Sequence, residues 1–319
     1  MRLGIVGAGI MGAKVAAAAG RLTGVEVTAV ADPVPERAAA LGGTAFADWR
    51  DLLDSGPVDA VYLGLPHDAH ADACAAASAR GLHVLIDKPL CTTVAEADRI
   101  IAARDAAGVV VMVGFSYRFR AEWLAARRLV AGGAIGEPVS VTDVIVEAAP
   151  DTPAWYWDPA RGGGILHLQS HHCFDRLPWL VGVPLAEVTG RTAGDEAAAI
   201  TTTFAGGAVG GISLSFGRTH HAEPRSLTVV QGTAGQLRIE QGGSLAVATA
   251  AGERTESHAG DDWLHRELAA FVAACTGADR GADTGADTAF PTAEDGRRAV
   301  VCAAAAAESA RTGQPVRVS

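Results

Sequence analysis

Lysine is nearly absent from this chain: of 26 basic residues only Lys14 and Lys88 are lysines, the rest being arginine. Positive charge is in deficit as well. With 36 acidic side chains and a formal net charge of −10, a polyanionic partner is not expected, because nucleic-acid binding runs on cationic contacts to phosphate. Paired cysteines are missing too: Cys74, Cys91, Cys173, Cys275 and Cys302 are odd in number, scattered and without a CxxC pair, which fits a reducing compartment and excludes a disulfide framework. No apolar run approaches the ~18 residues of a membrane span, and the glycines of Met1-Arg2-Leu3-Gly4-Ile5-Val6-Gly7 interrupt the apolar segment that a signal peptide needs. The expectation is a cytoplasmic protein with neither a nucleic-acid nor a membrane partner.

What is present begins at once. Residues 3–6 form a short apolar strand that runs into Gly7-Ala8-Gly9-Ile10-Met11-Gly12, and the alanine-rich stretch after it reads as a helix. In strand–GxGxxG–helix the first glycine permits a tight turn, the second lets the backbone approach a pyrophosphate and the third allows close helix–strand packing; the helix N-terminus adds oriented N–H donors. The next strand, Val25–Val30, ends at Asp32, 20 residues after Gly12, where an acid can bind the adenosine ribose hydroxyls. A carboxylate there repels a 2′-phosphate, and Pro33 supplies no group to bind one, so NAD is favoured over NADP. Asp32 also suits the N-cap of a helix over 33–41, and the two roles are compatible.

The alternation continues through strands at 58–65, 82–86 and 109–113 and helices at 68–80 and 93–107, which implies an α/β domain with a parallel sheet. Ligands of such sheets lie beyond the strand C-termini, where Pro66-His67 and Asp87-Lys88-Pro89 fall. A chain that writes its cations as arginine has little use for lysine as surface charge, so a compact, titratable amine is wanted at Lys88. At 319 residues two domains are expected, with a boundary at 119/120. After residue 120, alternating apolar segments (139–146, 185–191, 198–204, 209–216, 226–231, 236–240, 245–249) separated by glycine-bearing turns predict strands. Helices are predicted over 263–274 and 293–310, and a surface loop over Gly277–Asp287.

With these pieces in order the chain resembles the Gfo/Idh/MocA oxidoreductases over nearly its full length. The resemblance is carried by Gly7-x-Gly9-x-x-Gly12, Leu65-Pro66-His67-x-x-His70, Gly81 to Pro89, Tyr117-Arg118-Phe119, Gly162-Gly163-Gly164 and Glu294-Asp295-Gly296. It implies a Rossmann domain (1–119) followed by an α+β domain (120–319) with a large, open, mostly antiparallel sheet that commonly mediates homodimers or homotetramers. It further implies a cofactor pocket formed by Gly7, Gly9, Ile10, Met11, Gly12, Asp32, Leu65, Pro66, His67, His70, Asp87 and Lys88, with Asp87 a shorter carboxylate where the family usually has glutamate. The implied activity is hydride transfer between NAD and a secondary hydroxyl or keto group of a sugar, cyclitol or related polyol. An NAD-dependent glycosidase and a dinucleotide-binding regulator of the same fold are the alternatives.

The other half of the site is expected in the segment from Gly162 to Asp175. Family members typically read GGG, three residues, Asp, three residues, His, two residues, Asp. Alignment on the glycines places His172 on the catalytic histidine, Asp175 on the later aspartate and Leu168 on the first one, a departure from the pattern. A register slipped by one residue pairs His167 with His171 at the same i,i+4 spacing. Both registers stay open, so Lys88, His172, His171, His167 and Asp175 are the catalytic candidates. Tyr117, Arg118, Trp157 and His172 are the substrate-binding ones. Histidines at this spacing can hold a transition metal, but such pairs arise readily by chance on a histidine-bearing helix, and no metal is expected.

Overall fold

The computed structural model describes residues 1–148, 152–217, 225–277 and 290–318. It divides into two compact units, one made of residues 1–116 and 262–297, the other of 117–261 and 298–319.

The first unit carries β1 (Arg2–Val6), α1 (Ile10–Ala19), β2 (Glu26–Ala31), α2 (Pro35–Ala40), β3 (Thr44–Phe46), α3 (Trp49–Ser55), β4 (Ala60–Leu63), α4 (His70–Ala79), β5 (His83–Asp87), α5 (Val94–Ala107) and β6 (Val111–Gly114). Its six strands pair in parallel in the order β3-β2-β1-β4-β5-β6. The order reverses between β1 and β4, so the C-terminal ends of those two strands flank the crevice where an open α/β sheet binds its ligand. Strands buried on both faces must be apolar throughout, and β4 is: all four of its residues are buried. Helix α5 is set by a reciprocal cap, the Thr93 hydroxyl accepting from the Glu96 N–H while the Glu96 carboxylate accepts from that of Thr93.

The second unit carries α6 (Ala121–Ala131), β7 (Pro138–Ala148), α7 (His171–Val181), β8 (Leu185–Ala193), β9 (Ala197–Phe204), β10 (Val209–Gly217), β11 (Arg225–Gly232), β12 (Gly235–Glu240), β13 (Ser244–Thr249) and β14 (Gly252–Ser257), with β15 (Val316–Arg317) near the C-terminus. They form one nine-stranded sheet, β14-β13-β12-β11-β7-β10-β9-β8-β15. Every pairing is antiparallel except that of β7 with β10. Burial alternates along β7, β9 and β10, so one face is covered and the other open. Helix α7 covers the inner face through Arg176 and Asp143, a fully buried ion pair whose carboxylate also accepts from the Thr228 hydroxyl at 2.6 Å. Removing one partner of such a pair typically costs about 3–5 kcal/mol.

A second domain running unbroken from residue 120 to 319 is not what the structure shows. Helix α8 (Trp263–Thr276) and the first residues of α9 (Ala293–Thr312) belong to the first unit. The reason is burial and charge. Leu264, Leu268 and Phe271 are buried on α8, and Asp262, which caps it, pairs with Arg21 at 2.8 Å. Arg104 donates to both oxygens of Glu294 and holds that carboxyl down to about 2. Gly296 completes the fit, because a Cβ there would lie 2.7 Å from Cβ of Leu90. The expected loop at 277–287 lies, apart from Gly277, outside the described residues. Strands β3, β14 and β15 and helices α3 and α6 were not predicted.

Candidate active site

The glycine loop of the first unit has the geometry its sequence asks for. Gly7 adopts φ +96°, and a Cβ there would lie 2.3 Å from the Gly64 carbonyl oxygen; at Gly12 a Cβ would come within 2.0 Å of the Gly7 oxygen. Neither position tolerates a side chain. Gly9 is different: nothing stands within 4 Å of where its Cβ would be, and Ile10 beside it is 75% exposed. Open space above one glycine, between two whose backbones are packed shut, fits the approach of a pyrophosphate to the start of α1. Met11, half-buried, follows in the first turn of that helix.

Asp32 stands at the end of β2 and latches this loop. One carboxylate oxygen accepts from the Ala8 N–H at 2.8 Å and the other from the Val34 N–H at 2.9 Å. It is not the N-cap of α2, a place Val34 takes. Each oxygen keeps further acceptor capacity, since a carboxylate offers about four lone-pair sites.

At the ends of β4 and β5 the pocket residues separate into two groups. Leu65, Pro66, Asp87 and Lys88 are half-exposed. Asp87 accepts from the Tyr62 hydroxyl at 3.2 Å and from the Lys88 N–H at 2.8 Å, so the shorter carboxylate is partly committed to holding its own turn. The Lys88–Pro89 peptide is cis. His70, expected in the cofactor pocket, is held by the protein's own backbone. It is fully buried, its Nδ1 2.8 Å from the Pro89 carbonyl oxygen and its Nε2 3.0 Å from that of Leu65. Burial pushes its pKa below the ordinary histidine value, against the pull of those two carbonyls. Its ring ties the chain after β4 to the turn after β5. His67, 5% exposed, packs against it with ring centroids 5.6 Å apart.

In the second unit the histidine segment starts where Gly163 lets the chain pass under residues 155 and 156, a Cβ there meeting both carbonyl oxygens at 2.5 Å. Residues Leu166–Ser170 then form a π-helical turn that leads directly into α7. Such a turn pairs i with i+5 in place of i+4 and so holds one residue more than an α-helix would. Counting by fours therefore fails across it. This is the physical origin of the two registers open in the sequence: the helix contains a one-residue slip of its own.

The histidines are sorted by burial. His171 is fully buried and stacks on His167, with centroids 5.9 Å apart and planes at 24°. His167 and His172 are half-buried. The His172 ring meets Tyr117 edge to face at 5.0 Å. Leu168, which alignment on the glycines places on the family aspartate, is 2% exposed.

Two more of the expected site residues meet in a pairing. Arg118 and Asp175 form a two-pronged buried ion pair, Nε donating to Oδ2 at 3.0 Å and Nη2 to Oδ1. Charge-assisted and two-pronged, this is the strong form of such a pair, and it commits the two expected site residues to each other. Tyr117, 7% exposed, is likewise a packing residue, enclosed by the guanidiniums of Arg120 and Arg176 at 4.5 and 4.1 Å and by Trp123 at 5.3 Å. Trp157 stays half-exposed and stacks on Phe216 at 5.3 Å. Two residues not singled out from the sequence meet nearby: Gln169 donates to Glu147 at 2.8 Å. The signal available for Glu147 was its place on the otherwise largely apolar inner face of β7.

A parallel sheet in the order 3-2-1-4-5-6, a glycine loop latched by an acid and a lysine at the end of the fifth strand are the features of a dinucleotide-binding fold. Residues 1–115 match the model of the oxidoreductase family with an NAD-binding Rossmann fold, and residues 123–238 match that of the GFO/IDH/MocA C-terminal domain. The chain belongs to the Gfo/Idh/MocA family. It is 33% identical to the rhizopine catabolism protein MocA of Rhizobium meliloti over 57% of either chain, and 34% identical to an inositol 2-dehydrogenase of Leifsonia xyli over 59% of this chain and 56% of that one. The matched region thus spans little more than half the length of these relatives. Similar folds include an oxidoreductase domain protein from Kribbella flavida (24% identity, TM-score 0.88, covering 100% of this chain and 99% of that one). A levoglucosan dehydrogenase solved with NADH and L-sorbose has 22% identity, TM-score 0.88 and the same coverage. Among the described residues no helix is long and apolar enough to cross a membrane.

Proposed function

We propose that this chain is an NAD-dependent dehydrogenase or reductase acting on a secondary hydroxyl or keto group of a sugar, cyclitol or related polyol. The observation that carries the reading is Lys88, one of two lysines in the chain, half-exposed at the C-terminal end of β5 in the sheet that holds the glycine loop. The names of the relatives, which include inositol dehydrogenases, a xylose dehydrogenase and an anhydrofructose reductase, support the substrate class. When bound, NAD supplies a hydride acceptor at the nicotinamide ring. The protein's part is to orient the substrate and to move the hydroxyl proton, for which the Lys88 amine and the His172 imidazole are the groups. A compact amine at Lys88 can take up and release a proton, which a guanidinium cannot do near neutrality. His172 contributes an imidazole, the side-chain type most often used to move a proton near neutrality. Incubation with NAD and a polyol panel tests the reading: net NADH formation is expected, whereas sugar release without NADH would mark a glycosidase and binding without turnover a regulator.

Cofactor choice rests on Asp32. We expect NAD to bind more tightly than NADP, and Asp32→Ala to narrow the gap by removing repulsion with the 2′-phosphate. Dissociation constants for both dinucleotides on both proteins check this; wild-type protein that held NADP as tightly as NAD would overturn it.

The open face of the nine-stranded sheet is proposed as the surface that joins copies of the chain into a homodimer or homotetramer. It carries a groove of about 410 Å³ lined by Thr142, Glu187, Thr189, Thr201, Thr203 and Val209, the last 52% exposed. Light scattering at micromolar concentration is expected to give a dimer or tetramer, and a monomer would contradict this.

A further inference from the structure

Asp143 and Glu147 stand four residues apart on the inner face of β7, and the fold treats their carboxylates in opposite ways. Asp143, fully buried, is neutralised by Arg176 and bonded to the Thr228 hydroxyl. Glu147 is half-exposed near the end of the strand, and its one hydrogen-bond partner among the described residues is the neutral amide of Gln169 at 2.8 Å. An amide N–H orients a carboxylate without neutralising it. With about four lone-pair sites on a carboxylate, most of the acceptor capacity of Glu147 remains available. Gln169, 7% exposed on the π-helical turn, is rigidly placed to do the orienting.

What lies beside Glu147 is aromatic. Phe216 is its register partner on the parallel strand β10. Over the buried ring of Phe216 lie two half-exposed rings, Trp157 at 5.3 Å with planes at 29° and Tyr156 at 6.4 Å with planes at 28°. The Trp157 indole is held in turn by the Thr152 hydroxyl, which accepts from Nε1 at 3.2 Å. A saturated ring that carries hydroxyls on its rim and C–H groups on its faces needs these two kinds of surface together: a charged acceptor for the rim and an aromatic plane for the face.

We infer that Glu147, oriented by Gln169, is a hydroxyl-recognition subsite that grips a vicinal diol of a cyclic polyol, with Trp157 taking the apolar face of the ring. Each carboxylate oxygen accepts from one of two neighbouring hydroxyls, on carbons other than the one oxidised. Gln169 is a positioning residue acting through Glu147. The inference rests on the polyol-dehydrogenase reading and deepens it, since it ties preference among polyols to one side chain.

The test is NADH formation by wild-type protein, E147Q and Q169L on myo-inositol, D-glucose, D-xylose and levoglucosan, then on monodeoxy analogues of the best of these. Hydrogen bonds to a charged group are worth enough that E147Q, which keeps size and removes charge, should raise KM about tenfold or more, with the loss in kcat/KM carried by KM. Wild-type protein should discriminate against the analogue lacking a diol hydroxyl by a similar factor, and E147Q should no longer do so. Q169L should shift KM in the same direction by less. Melting curves that match wild type establish that the variants fold. An E147Q protein with wild-type KM, or with the full deoxy penalty, would overturn the subsite alone. Wild-type protein that bound NAD yet oxidised no polyol would overturn the polyol reading and the subsite with it, so the two failures are told apart.

Discussion

Lys88→Ala is expected to lower turnover by ~10²-fold or more while NAD binding is largely kept, the size of effect that positioned acid–base groups typically contribute. The separation follows from where the parts sit. The glycine loop and Asp32 hold their geometry through backbone contacts that do not involve the Lys88 side chain. The backbone N–H of Lys88 is bonded to Asp87 whatever side chain is attached, so the turn after β5 survives the substitution. Lys88→Arg should rescue little, because a guanidinium stays protonated near neutrality and is planar where the amine is compact. Single-turnover NADH formation with a saturating polyol, together with the NAD dissociation constant, measures both halves. An alanine variant within threefold of wild-type turnover would show that Lys88 carries no chemistry.

The second large effect is expected at the histidine segment, and there the structure separates three side chains that sequence alone could not. His172→Ala should also lose ~10²-fold or more in turnover, whereas His171→Ala should show itself first as a loss of stability. The grounds are burial and direction. His171 is sealed in the core against His167, while His172 is half-buried with its ring edge against Tyr117. Truncating a sealed ring leaves a cavity, and large-to-small changes at such sites cost about 2–5 kcal/mol. Turnover per folded molecule and melting temperature, measured on all three alanine variants, distinguish the roles. An active His172→Ala protein beside a dead, folded His167→Ala protein would move the catalytic role to His167 and make the slipped register the right one.

How much of this was legible follows from the range of each interaction. The glycine loop, Asp32 and the alternation of strand and helix are local patterns, and the sequence shows them because strand period and turn chemistry are written within a few residues. Seven of the nine sheet strands of the second unit, β7 to β13, were found to within about two residues for the same reason. Pairings between distant residues leave no such trace. Arg118 and Asp175, 57 positions apart, each read as a site residue because each is polar near the landmarks, and only the fold shows that they cancel. The return of α8 to the first unit buries Leu268 and Phe271 and brings Arg21 to Asp262, 241 residues away. The π-helical turn was invisible for another reason: periodicity arguments assume a constant pitch, and this helix changes pitch inside the stretch being counted.

The latch at Asp32 bears on how this protein could change its cofactor. One carboxylate faces two demands: discrimination against a phosphorylated ribose, and closure of the loop through the Ala8 and Val34 amides. A substitution that relaxes the first by removing charge also unfastens the second, so altered preference and a loosened loop arrive in the same mutational step. Only a residue that is uncharged yet still accepts from the Ala8 N–H, such as asparagine or serine, separates the two. The accessible route toward NADP is therefore narrow, and it is set by the two backbone amides that Asp32 holds.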